Sequence, residues 1–240
     1  MGIWIINYAL AEAATESYLE WFRREHIPEK LARPGYTWAA HYRSVLDAAA
    51  TAVPVRYTAL FGGTDSRVFY NPSPAQIKPT QPPLTREMMA HRRSPEMVIA
   101  SMEWCQTVGP GLPLATADTL DQSFDQYSCL LWLQFDVAAD DQSLSAWCCQ
   151  QLPEIVAQNA AGITGGLLND QLLLSKWLAG TGEQRHHLLL HWSPVATSVP
   201  APSPHRQLAA LVLAGLEAAG IAAPAIQTGI DVEAAAVTTA

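Results

Sequence analysis

Basic side chains are scarce: 14 Lys and Arg stand against 22 Asp and Glu in 240 residues, a formal net charge of −8. Nucleic acids and anionic membrane surfaces are held by clustered Lys and Arg. The basic residues here are scattered, so neither is expected as a partner. No apolar run approaches the roughly 20 residues that cross a bilayer. The opening Met1-Gly2-Ile3-Trp4-Ile5-Ile6-Asn7 has no basic segment or cleavage pattern of a secretory signal. Ile6 stands where an N-myristoylation signal wants Ser or Thr. A cytoplasmic location is the expectation. Cysteine is limited to Cys105, Cys129, Cys148 and Cys149, with no C-x-x-C spacing. The adjacent pair cannot bridge to itself without strain, so free buried thiols are expected. P-loop, G-x-G-x-x-G, G-x-S-x-G and H-E-x-x-H patterns are also missing, which removes the signatures of nucleotide, flavin, serine-hydrolase and zincin sites. The glycines from Gly162 to Gly166 are too short a cluster to cradle a phosphate.

What is present is a balance of 49% hydrophobic to 15% charged residues, that of a chain that buries a core. Ile3 to Leu10 is rich in β-branched and aromatic residues and reads as a strand. A helix follows, capped by Thr15 or Ser17 and running through Tyr18-Leu19-Glu20-Trp21-Phe22 toward His26. Pro34-Gly35 ends it, and Tyr36 to Val45 and Val55 to Phe61 read as paired strands. Five prolines between Tyr70 and Pro83 predict an irregular loop. Thr85 to Glu103 is expected as a helix, with a fourth strand and a linker within Gly109 to Asp121.

The second half repeats the order: strand over Ser128 to Val137, helix over Ser143 to Gln158, strands over Leu167 to Leu174 and His187 to Trp192, helix over Gln207 to Ala219, strand over Ile226 to Val232. Ile27-Pro28-Glu29-Lys30-Leu31-Ala32 also lines up with Leu152-Pro153-Glu154-Ile155-Val156-Ala157. The fold class predicted is α+β: two tandem ferredoxin-like β-α-β-β-α-β units, residues 1–120 and 121–240, forming an α+β barrel. The first unit is expected to be the active half and the second a degenerate repeat.

The candidate chemistry lies in Trp21 to Gly35. On a helical wheel, His26 and Glu29 fall within about 60° of Phe22, on the apolar side with Tyr18 and Trp21. Pro28 is expected to kink the helix, and a buried His there, with its ordinary pKa near 6.5 lowered, can take a proton at neutral pH. The bland alternative is a hydrogen-bonded core or cap histidine. The second half has Gln151 where His26 stands while keeping Pro153 and Glu154, so Pro-Glu reads as structural and His26 as dispensable to the fold. On the following strand His41 and Arg43 share one face and Tyr42 the other. His187 and His191 share a strand face, but strand rise sets their Cα atoms about 13 Å apart and a metal site needs more ligands, so strand-end or surface histidines are expected. His91-Arg92-Arg93 is placed on the predicted helix, either meeting an anionic substrate or forming a solvated face.

Helix, Glu25-His26-Ile27-Pro28-Glu29, Pro34-Gly35-Tyr36 and a strand carrying Tyr42-Arg43 together resemble the dimeric α+β barrel superfamily, particularly its EthD-like and stress-responsive barrel groups. The resemblance covers roughly the first 45 residues. It implies a pocket between helices and sheet for a small aromatic or polyketide-like substrate, in a cofactor-independent isomerase, cyclase, lyase or monooxygenase. The residue matching His26 would be the acid/base group. His26, Glu29 and Tyr42 are the catalytic candidates, and Trp21, Phe22, His41 and Arg43 the substrate-binding ones; no metal or cofactor is expected. A non-catalytic module that binds a hydrophobic ligand or assembles is the alternative. Haem held by a histidine is a third reading, without an identifiable axial-ligand pocket. Two fused units allow either a monomer or a homodimer.

Overall fold

The first strand, β1 (Gly2–Leu10), is buried along its whole length, as its unbroken apolar and aromatic composition requires. It opens a computed structural model that describes residues 1–44, 55–108, 115–116, 129–135, 141–152, 154–155, 172–180, 185–192, 204–222 and 224–231. The chain divides into two compact units: Met1–Ser101 with Asp121–Gln126 and Gly229–Ala240, and Met102–Leu120 with Tyr127–Thr228.

In the first unit β1 is followed by α1 (Glu12–Trp21), a five-residue π-helical turn (Phe22–His26), α2 (Ile27–Leu31), β2 (Tyr36–Ser44) and β3 (Arg56–Gly63). Next come α3 (Pro74–Ile77), α4 (Pro83–Ala90) and β4 (Arg92–Val108). The sheet runs β4-β1-β3-β2 with every neighbour antiparallel. Register places Trp4, Ile6 and Tyr8 opposite Phe61, Ala59 and Tyr57, and these pack with Tyr18, Trp21 and Phe22 into one core. Gly35, at φ 87°, makes the turn into β2.

Three expectations change here. The residue capping α1 is Ala11; Thr15 and Ser17 lie inside the helix, where their hydroxyls donate back to the carbonyls of Ala11 and Ala14. After a 3₁₀ turn (Ser66–Phe69) capped by Asp65, the proline-rich stretch holds short helices, α3 and a second 3₁₀ turn (Lys78–Thr80). Proline is well suited to a first helical turn, where its missing N–H is no loss. The predicted long helix from Thr85 stops at Ala90, and the fourth strand is β4, not the 109–121 stretch. Pro95 cannot sit inside a helix, and Gly2 to Asn7 offer Glu96 to Ser101 a partner strand that outweighs their modest helix propensity.

The second unit holds β5 (Ala115–Thr116), β6 (Cys129–Phe135), α5 (Asp141–Ala146) with a π turn (Trp147–Gln151), β7 (Leu172–Ala179), β8 (His186–Trp192) and α6 (Pro204–Ala218). β9 (Ala225–Asp231) begins in this unit. Its strand order is β9-β6-β8-β7. Leu131, Leu133, Leu174, Leu188 and Leu190 face Trp147, Leu208, Val212 and Leu216 in an almost wholly aliphatic core. His186 and His187 open β8 and His191 stands next to its last residue, strand-end positions as expected, but all three are buried and not at the surface, since β8 runs through the buried Leu188-Leu189-Leu190. None of the four cysteines forms a disulfide, and three of them are buried. Among the described residues no helix is long and apolar enough to cross a membrane, and no three His, Cys, Asp or Glu side chains converge on a metal position.

Candidate active site

Residues 18 to 31 carry an apolar stripe across a proline. Pro28 has no N–H to give the carbonyl of Arg24, and the helix widens just before it: Ile27 N–H donates to the carbonyl of Phe22, five residues back. This wide turn keeps Phe22 and His26 both buried against the sheet. From the sheet side, β1 presents Tyr8 and β2 presents His41 on the same face, because Tyr8 lies opposite Tyr57 and His41 opposite Ala59.

The fourth contributor is Arg92, at the start of β4. It pairs with Leu10, while Glu96, four residues on, pairs with Asn7. A regular strand would put residues four apart on one face. Between them Ser94 (φ 45°) and Pro95 form a bulge opposite Tyr8 and reverse the alternation. Arg92 is thereby turned to the helix side and Glu96 to the other, where it accepts from Asn7 and pairs with Arg56.

The groups meet around the Phe22 ring. The centroid of His41 lies 4.5 Å from it, that of His26 5.1 Å, and the Arg92 guanidinium carbon 5.6 Å. His26 also packs 4.7 Å from Trp21. The Tyr8 hydroxyl and His41 Nε2 are 2.7 Å apart, and Arg92 Nε donates to the Tyr18 hydroxyl at 2.6 Å. The guanidinium carbon stands 4.6 Å above the Tyr8 ring, a cation–π contact. Two polar atoms on this cluster, His26 Nδ1 and Arg92 Nη2, are buried with no hydrogen-bond partner among the described residues.

Burial dominates the electrostatics. It lowers His26 to a pKa of about 2, with Lys30 and Arg92 pushing the same way, and lowers His41 to about 3, helped by Arg92. Both imidazoles are neutral at physiological pH. Burial also raises Tyr8 well above the usual phenol value and raises Tyr18, whose neighbour Arg92 pulls the other way, so both phenols keep their protons.

Of the residues singled out from sequence, the fold brings Trp21, Phe22, His26 and His41 together. Glu29 turns away, accepting from Arg33 at 2.7 Å and from Lys30 at 3.3 Å. Arg43 is on the His41 face, opposite Tyr57, while Tyr42 is opposite Thr58 on the other face of the sheet. Tyr8 is a member that sequence inspection does not single out; Tyr18 is placed on the apolar side with His26, and Arg92 is weighed as an anion contact but on a helix instead of a strand. Pro95 was the available signal for Arg92, since a proline after two arginines marks a strand bulge better than a helix.

The second unit has a β-α-β-β run of its own, with a π turn at the end of its helix. One constant offset in numbering aligns the two π turns, putting Trp147 at the place of Phe22 and an exposed Gln151 at that of His26. Register puts Leu133 opposite Leu188 where the first unit has Tyr8 opposite Tyr57, and Leu174 opposite Leu190 where it has His41 opposite Ala59.

No family model matches the chain, and no curated protein is similar enough to match. Solved structures do. A protein of Fusobacterium nucleatum, provisionally named a monooxygenase, superposes with a TM-score of 0.50 over 96% of this chain and 91% of its own, at 6% identity. A protein of Lactobacillus acidophilus with the same provisional name gives 0.46 at 10% identity over 96% and 93%. An anthrone oxidase-like protein gives 0.44 at 9% over 96% and 91%. At such identities the likeness is one of architecture: the chain has the α+β fold of the Fusobacterium protein.

Proposed function

We propose that this protein is an enzyme of small-molecule acid/base chemistry, of the oxygenase, isomerase, cyclase or lyase kind, related to the EthD-like α+β barrels through a duplicated ferredoxin-like unit. Its site lies in the first half, residues 1–120, and its substrate is a small aromatic or polyketide-like molecule. One observation carries this reading: His26, His41, Tyr8, Tyr18 and Arg92 are buried round Phe22, while the unit that repeats the frame has Gln151, Leu133 and Leu174 at three of these places. A neutral imidazole in an aromatic pocket can accept a proton from an acidic C–H or O–H and leave the electron pair on the substrate. Burial, with a smaller push from Lys30 and Arg92, holds the His26 pKa near 2, so it is in the base form at neutral pH, and bound negative charge would offset only the part due to the two cations. The name of the Fusobacterium protein agrees with an oxygenase kind, in which molecular oxygen would be the co-reactant.

The test is a turnover screen of wild type, His26→Gln and His41→Leu against small aromatic, lactone and polyketide-like compounds. Loss of a turnover activity by at least ~100-fold in His26→Gln is the expected result, the usual contribution of a positioned acid or base. The low basicity of both histidines also favours a second reading, a module that binds without turnover. Equal ligand affinity with no turnover in wild type establishes that reading instead.

A further inference from the structure

We infer that Arg92 is an anion seat, and that the ligand of this site is a small aromatic molecule carrying a planar oxyanion of the carboxylate type. The inference rests on the reading of the Phe22 cluster as a ligand site and specifies what that site takes. Arg92 is 8% exposed and always charged. A buried guanidinium is ordinarily balanced by a carboxylate, yet among the described residues its neighbours are the Tyr18 hydroxyl and the faces of Tyr8, Tyr18 and Phe22. The acidic groups nearby are engaged elsewhere: Glu96 with Asn7 and Arg56 on the opposite sheet face, Glu29 with Lys30 and Arg33, Glu20 with Arg24. Lys30, buried and paired with Glu29, is close enough for Arg92 to act on its charge.

The geometry narrows the anion. Tyr8 covers one face of the guanidinium and Tyr18 takes Nε, so Nη2, which shares that edge, is a buried donor left without an acceptor among the described residues. An in-plane N–H of a single guanidinium suits a carboxylate oxygen, whereas a doubly charged phosphate calls for several cations or backbone N–H groups. The rings of Tyr18 and Phe22 lie 5.7 and 5.6 Å from the guanidinium carbon, so an anion meeting Nη2 would lie among aromatic rings and belongs on an aromatic frame. His26 Nδ1, also unpartnered, is a second polar atom such a ligand can meet.

Calorimetric titration with 2-naphthoate and its uncharged isostere 2-naphthamide tests this. The expected result is naphthoate binding at least tenfold tighter than naphthamide to wild type, with that preference abolished in Arg92→Met, while Arg92→Lys keeps the charge and part of the preference. Equal affinity of the two ligands for wild type, with both weakened by His26→Gln, overturns the anion seat and leaves the site reading standing. Affinities that ignore His26→Gln while naphthoate is still preferred overturn the location of both. The comparison of the two ligands on wild type decides the matter even where Arg92→Met fails to fold.

Discussion

Lowering the pH from 7.5 to 5 protonates histidine in an unfolded chain but not the two imidazoles around Phe22. With folded values near 2 and 3 against an unfolded value near 6.5, the unfolded state binds more protons throughout this range. The stability conferred by the neutral forms is therefore whole above pH 6.5 and is lost as pH falls toward the folded values. At pH 5, 1.5 pH units below the unfolded value, each histidine withdraws about 2 kcal/mol, so the pair withdraws about 4 kcal/mol from a domain whose total is of order 5–15 kcal/mol. Urea denaturation at each pH reads this share together with those of the buried His187 and His191, whose pKa values burial lowers to about 4 and about 3. His26→Gln isolates one share, and its stability should fall by about 2 kcal/mol less than that of wild type between pH 7.5 and 5. Proton NMR supplies the site-specific check, with the His26 ring Cε1–H signal unmoved over the whole range. Identical pH profiles of wild type and His26→Gln, or a His26 signal that titrates near 6.5, refute the assignment of a dry, neutral imidazole.

Tyr8→Phe removes the partner 2.7 Å from His41 Nε2 and is expected to cost about 1–3 kcal/mol in urea denaturation. Adding His41→Leu, the side chain the second unit has in that place, should return part of the loss; a neutral Tyr8→Phe refutes the bond. Gly35→Ala meets both the φ of 87° and a Val68 methyl 2.6 Å from the new Cβ, so a loss of about 1–2 kcal/mol is expected. Val68→Ala should relieve only the steric part of that loss, and full rescue contradicts a backbone cost.

Local signals made much of the first unit legible. The β-branched opening, the Pro34-Gly35 break and the alternation on β2 follow from short-range chemistry, and His41, Arg43 and Tyr42 lie on the faces that alternation assigns. The stripe Tyr18-Trp21-Phe22-His26 was visible too, though the π turn that preserves it across Pro28 was not, since a widened turn leaves the apolar spacing nearly unchanged. What stayed hidden depends on non-local pairing. Tyr8 reaches His41 across β3, a strand that comes later in the sequence than either. The Thr85 to Glu103 stretch was taken for a helix because Met, Glu and Ala favour one, and that choice also hid Arg92. Only the partner strand and the bulge at Ser94-Pro95 show which way Arg92 faces. His187 and His191 were legible in their shared face but not in their burial, although the leucines between them pointed to an interior strand.

The two units together say why a polar cluster at this place asks for a function. A β-α-β-β arrangement with a π turn is satisfied in the second unit by Leu133, Leu174 and Trp147, so the frame itself does not require tyrosine or histidine there. In the first unit the same positions carry groups that cost stability when buried. Arg92 brings a charge whose desolvation costs several kcal/mol, relieved in part by the Tyr8 face and the Tyr18 hydroxyl. His26 Nδ1 and Arg92 Nη2 each add about 1–3 kcal/mol as polar atoms left unpaired. An apolar core would avoid these costs, and the second unit builds one on the helix-facing side of its strands, with the buried His187 and His191 on the other side. Loss of stability at particular residues, on a face the second unit fills with apolar side chains, is an argument for a site rather than a core. On that ground a site centred on Phe22 is proposed, where a ligand would supply partners for the unpaired atoms.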